Sequence, residues 1–98
     1  MEVKKIQEGS KLTIAVKGRI DSVTAPELDK EVNSSLEGVT ELVFDFSELE
    51  YTSSAGLRVL LEADKTMEQR GSMKVTGVSE DVKQIFAITG FDMILNIE

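Results

Sequence analysis

Apolar positions recur along this chain with two periods, and each change of period marks an element. Leu12, Ile14 and Val16 alternate with Thr13, Ala15 and Lys17, the spacing of a half-buried strand over Lys11–Lys17. Met1–Ile6 reads as a partner strand, and Gly9-Ser10 between them predicts a hairpin turn. The period then lengthens. Leu28, Val32 and Leu36 lie four apart on one helical face. Thr24 with Glu27 fits a capping box, and Val23 with Leu28 fits a hydrophobic staple. Pro26 is tolerated in a first turn, and Gly38 is placed to end the helix.

Val39–Phe46 carries consecutive Leu42, Val43 and Phe44, as expected of a central strand covered on both faces. Ser47–Ser53 reads as a loop. From Ala55 to Gln69 the spacing predicts a second helix with Leu57, Leu60, Leu61 and Met67 inward and Asp64 at the margin, stopped by Gly71. Ser72–Thr76 is a strand with Met73 and Val75 on one face. Ser79 is placed to cap a third helix in which Val82, Ile85, Phe86 and Thr89 share a side. Gly90 is its left-handed ending, with Phe91 as the accompanying apolar contact. Met93–Ile97 is expected as a last strand, and Met67, Met73 and Met93 as core filler. The order β-β-α-β-α-β-α-β predicts an α/β fold: one domain over residues 1–98, with a mixed sheet of about five strands and helices packed over it.

Composition narrows the chemistry. The 98 residues include no His, Cys or Trp. Zinc sites of the usual ligand types, thiol nucleophiles, disulfides and a Ser-His-Asp triad are excluded. Eleven basic and eighteen acidic residues give a formal charge of −7, which opposes broad contact with nucleic acid or anionic lipid. The first residues lack an apolar stretch of signal-peptide length, and no run approaches a membrane span. A cytoplasmic monomer is expected. The charge is uneven: residues 21–50 hold nine acids and one base, Lys30. A solvated helix face accounts for such a bias as readily as an interaction surface.

Chemistry concentrates at Tyr51-Thr52-Ser53-Ser54-Ala55-Gly56-Leu57-Arg58, where three hydroxyl residues precede a helix. The first helical N–H groups lack intrahelical partners, and the helix dipole is positive there. A hydroxyl at this place serves as a cap, and a phosphate on it would meet the same N–H groups. Gly56 in a first turn costs about 1 kcal/mol against Ala, which hints at a close approach by a partner or by backbone. No Gly-rich phosphate loop accompanies it, which weakens nucleotide binding. Arg58 follows on the exposed side, as solvated surface or as a partner contact. Tyr51 reads as a packed residue at the strand edge.

The stretch Asp45-Phe46-Ser47 followed by Tyr51 through Leu61 resembles the signature of anti-sigma-factor antagonists, the small STAS-domain proteins of bacteria. Gly18-Arg19-Ile20-Asp21, leading to Thr24-Ala25, resembles the family's first loop. Val82–Phe86 with Gly90-Phe91 resembles its terminal helix. The resemblance spans essentially the whole chain and implies a STAS fold. It also implies a non-enzymatic, cofactor-free protein that binds an anti-sigma factor and so frees a sigma factor. The anti-sigma factor is itself a serine kinase. Its phosphorylation of the antagonist switches binding off, and a phosphoserine phosphatase reverses it.

By position before Gly56-Leu57 the acceptor is Ser54, with Ser53 as the alternative. Many members carry Asp immediately before the acceptor; this chain has Ser53 there, and Ala55 after it. The implied partner surface comprises Asp21, Thr24, Thr52, Ser53, Ser54, Gly56 and Arg58. Asp21, Glu48 and Glu50 would add to repulsion against an acidic partner. The other readings are a STAS-type module for a different signalling partner and a weak nucleotide-binding module.

Overall fold

The computed structural model describes residues 1–98. Strand β1 (Glu2–Glu8) turns at Gly9-Ser10 into β2 (Lys11–Ile20), and the two pair antiparallel from Glu2 opposite Lys17 to Glu8 opposite Lys11. Helix α1 (Ala25–Asn33) crosses to β3 (Glu41–Thr52), which lies parallel to β2. Helix α2 (Ser54–Glu68) crosses to β4 (Ser72–Thr76), parallel to β3. Helix α3 (Glu80–Thr89) and a single 3₁₀ turn at Phe91–Met93 complete the chain.

The sheet order β1-β2-β3-β4 places β3 centrally, as its apolar run demands. Leu12, Ile14, Val16 and Ile20 of β2 join Leu42, Phe44 and Phe46 of β3 in one core with all three helices. That core takes Leu28 and Val32 from α1, Leu57, Leu60 and Met67 from α2, and Val82 and Phe86 from α3. Val43 is buried yet stands outside this cluster, because alternation turns it to the opposite face of the sheet.

Several sequence expectations need correction. The segment expected as a loop, Ser47–Ser53, is strand as far as Thr52. Two register shifts against β2, between Ala15 and Lys17 and between Gly18 and Arg19, let twelve residues of β3 run beside ten of β2. Each is a bulge that adds one unpaired residue to β3. Buried positions follow Leu42, Phe44, Phe46, then Leu49, then Thr52, so the alternation slips once at each bulge. The last expected strand, Met93–Ile97, is reduced to one bridge between Val75 and Ile97, leaving four strands. Met93 is 88% exposed and not core filler. Leu61 is half-buried, and Val59 and Ala63 line the inward side of α2 instead.

The capping box at Thr24 is not formed, because the Thr24 side chain makes no cap bond to its helix. Val23 is 76% exposed, so there is no staple with Leu28. Helix α1 ends at Asn33, with Ser34 as its C-cap, before Gly38. The other punctuation holds. Ser79 Oγ accepts from the Val82 N–H at 3.3 Å, and Gly90 is left-handed at φ 79°. Phe91 packs partly buried against the core.

Candidate functional site

Parallel pairing of β2 and β3 brings their carboxyl ends to one edge of the sheet. Ile20 pairs with Thr52 there, and the Ser53 N–H donates to the Ile20 carbonyl at 2.8 Å. The loop after β2 and the start of α2 are therefore side by side.

The loop after β2 is organised by Asp21. Its Oδ1 accepts from the N–H groups of Val23 and Thr24, both at 2.9 Å. The Thr24 hydroxyl accepts from the Asp21 N–H at 2.8 Å and lies 3.2 Å from Asp21 Oδ1. This reciprocal pair replaces the expected capping box: the acid three residues ahead of Thr24, not Glu27 after it, satisfies the free donors. The Thr24 N–H, then the Val23 N–H, hold the Asp21 carboxyl below its ordinary value, with a smaller contribution from the Arg19 charge. Asp21 is thus ionised and fixed in orientation. Arg19 lies over the Tyr51 ring, 4.4 Å from its centroid, a cation–π contact between paired residues of β2 and β3.

The start of α2 rests on a tight floor. A Cβ on Gly56 would lie 2.7 Å from Ile20 Cγ2 and closer still to the Thr52 hydroxyl oxygen. The close approach that Gly56 permits is therefore made by its own chain. Thr52 is 1% exposed, and its hydroxyl donates to the Ser53 carbonyl at 3.2 Å. Thr52 and Gly56 shape the site from beneath and present no side chain to a partner.

Ser53 and Ser54 differ sharply. Ser53 occupies the N-cap position with extended backbone, but its side chain makes no cap bond. Its Oγ is buried and has no hydrogen-bond partner. Ser54 is the first helical residue and is exposed. The N–H groups of Ser54, Ala55 and Gly56 meet no acceptor in the chain, and the first turn carries no acid. Arg58 is exposed one turn further on. It borders a groove of about 310 Å³ between α1 and α2, shared with Ala25, Pro26, Asp29, Ala55 and Glu62.

Of the expected residues, Asp21, Thr24, Ser53 and Ser54 come together on this edge, with Arg58 at its side. Glu48 lies opposite Lys17 and forms an exposed ion pair with it at 3.6 Å. Ile20, the other half of the floor under Gly56, was missed, because an apolar residue beside Asp21 carries no signal of which helix will rest on it.

The comparisons with known proteins agree with one another. Residues 2–98 match the STAS domain family. The anti-sigma-B factor antagonist of Listeria monocytogenes is 38% identical over 90 residues, covering 89% of this chain and 78% of that protein. The protein of the same name in Bacillus subtilis is 29% identical over 92 residues, covering 93% and 84%. An anti-sigma factor antagonist from Mycobacterium paratuberculosis superposes with a TM-score of 0.88 at 23% identity, over 98% of this chain and 83% of that one. SpoIIAA of Bacillus superposes in its phosphorylated form with a TM-score of 0.76 at 15% identity, over 99% and 91%. No helix is long and apolar enough to cross a membrane. By family match and by close relatives, this chain belongs to the STAS-domain anti-sigma factor antagonists.

Proposed function

We propose that the chain binds an anti-sigma factor through the edge formed by the Asp21 loop and the start of α2, and that phosphorylation of Ser54 abolishes this binding. The bound anti-sigma factor is a serine kinase, its capture frees a sigma factor in the cytoplasm, and a phosphoserine phosphatase restores the unmodified form. The chain itself performs no chemistry. The observation that carries the choice of acceptor is the contrast between exposed Ser54 and the buried Ser53 Oγ. A kinase must reach the oxygen it modifies. The existence of a phosphorylated form of SpoIIAA, a structural neighbour, supports a phosphate on this fold.

The physical basis is a change of charge on a fixed surface. A phosphate adds about −1.5 to −2 charges and three acceptor oxygens. The free N–H groups of Ser54, Ala55 and Gly56 lie beside it, so the fold need not change. A partner shaped for a hydroxyl meets a dianion close to the ionised Asp21. Like-charge contact at an interface costs several kcal/mol, and about 1.4 kcal/mol already means tenfold in affinity.

The test is incubation with the cognate anti-sigma kinase and ATP, followed by peptide mass analysis. Wild type and Ser53→Ala should carry one phosphate, and Ser54→Ala none. Unmodified wild type, or full phosphorylation of Ser54→Ala, would overturn the assignment. Ser54→Asp should bind the kinase at least tenfold more weakly than wild type, and equal binding would refute the charge switch.

A further inference from the structure

The strongest remaining signal is a cation without a partner. Arg58 is the one basic residue between Glu31 and Asp64, a stretch that holds eight acids. It makes no ion pair and no hydrogen bond within the chain, although Asp29 of α1 and Glu62 of α2 border the same groove. It lies four residues after Ser54 in α2, and both are exposed. Residues at i and i+4 of a helix are surface neighbours, with Cβ atoms about 5–6 Å apart.

We infer that Arg58 is the internal receiver of the Ser54 phosphate: once Ser54 is modified, the Arg58 guanidinium clasps the phosphoryl oxygens across one turn of α2. The inference rests on the reading of Ser54 as the acceptor. Three physical reasons support the pairing. A guanidinium offers a planar fork of donors that matches phosphate oxygens in pairs. An anion placed N-terminal to a cation at i,i+4 is the favoured order on a helix, whereas Glu62 stands on the unfavoured side of Arg58. The phosphate also carries more charge than either nearby carboxylate. Arg58 is thus a positioning residue for the phosphate, and the clasp keeps that group dianionic near neutral pH.

The charged groups on the elements around Ser54 are Asp21 in the loop after β2, Arg58 one turn on in α2, and Asp29 of α1 and Glu62 of α2, which border the groove beside Arg58. Nearby carboxylates raise the phosphate's second pKa, whereas the free N–H groups of Ser54, Ala55 and Gly56 and the Arg58 guanidinium lower it, and only the Arg58 share is removed by substitution. The experiment uses the full chain with phosphoserine genetically encoded at position 54, so that no kinase is needed. Its phosphorus NMR signal is titrated in wild type, Arg58→Gln and Arg58→Lys. The midpoint should rise by about 0.2–0.4 pH unit in Arg58→Gln, the shift equivalent to one i,i+4 ion pair, and by less in Arg58→Lys. The difference should shrink in high salt. Unmodified Arg58→Gln should melt with wild type, which excludes a merely structural role. An unmoved midpoint in Arg58→Gln would overturn the clasp alone. A Ser54 left bare by the kinase would overturn the functional reading instead.

Discussion

Replacing Gly56 with Ala tests how tightly the start of α2 is seated on the strand ends. In a free helix this change would stabilise, by up to about 1 kcal/mol. Here the new methyl would lie 2.7 Å from Ile20 Cγ2 and against the Thr52 hydroxyl. Ile20 is fully buried and Thr52 is 1% exposed, and both are β-branched, so neither can rotate away freely. Overpacking of this kind costs about 1–3 kcal/mol. Displacing Thr52 would also break its bond to the Ser53 carbonyl, a further loss of about 1 kcal/mol. The net expectation is destabilisation by about 2 kcal/mol, or roughly 10 °C in melting temperature for a domain of this size. Urea unfolding followed by circular dichroism measures it. Combining Gly56→Ala with Thr52→Ala should show a favourable coupling of about 1 kcal/mol, because the second change removes one clashing atom. A Gly56→Ala protein as stable as wild type would show that α2 is not held against Ile20 and Thr52, and the reasoning would fail.

Other outcomes follow from the same geometry. The Asp21 carboxyl should titrate below 3.8 by carbon NMR, and Thr24→Ala should raise the midpoint while leaving it below that value, since the two backbone donors remain. Because the folded value is the lower one, the stability that Asp21 contributes is present above about pH 4 and is lost as pH falls through its folded midpoint. Ser53→Ala should be neutral or slightly stabilising, unlike the loss of about 1 kcal/mol usual at an N-cap, because the Ser53 hydroxyl is buried without a partner; a clear loss of stability would show that it does cap. Gly71→Ala should destabilise severely, since its Cβ would collide with the Thr40 carbonyl, which accepts the Ser72 N–H at 2.9 Å; an unchanged unfolding midpoint would contradict that packing.

Sequence made much of this architecture legible where one local cause dominates. The Leu12, Ile14, Val16 alternation specified β2, and Gly9-Ser10 specified its hairpin. Ser79 and Gly90 bracketed α3. The misses have physical reasons. Beyond Phe46 the inward residues fall three apart, at Leu49 and Thr52, and a strand with displaced pairing looks like a loop to any rule of period two. Thr24 was credited with a cap to the following helix, when Asp21 before it already offered the better acceptor. Ile94 and Ile97 have the composition of a strand, but only Ile97 reaches β4. At the site, hydroxyl residues ahead of a helix marked the place. That the Ser53 Oγ is buried while Ser54 is exposed could not be read from sequence, because it depends on which oxygen faces the protein interior.

The two bulges of β3 have a consequence for how this chain can vary in length. Each one inverts the facing of every later residue, because side chains alternate along a strand. Two inversions cancel. That is why Thr52 emerges inward beside Ile20. The count of extra residues in the second half of β3 therefore has a parity, and the site depends on it. Loss of one residue between Phe46 and Tyr51 would exchange inside for outside at the end of β3 and turn the buried Thr52 away from Ile20. Loss of both would shorten the strand yet leave Thr52 facing inward beside Ile20. Insertions and deletions compatible with this edge should come in even steps.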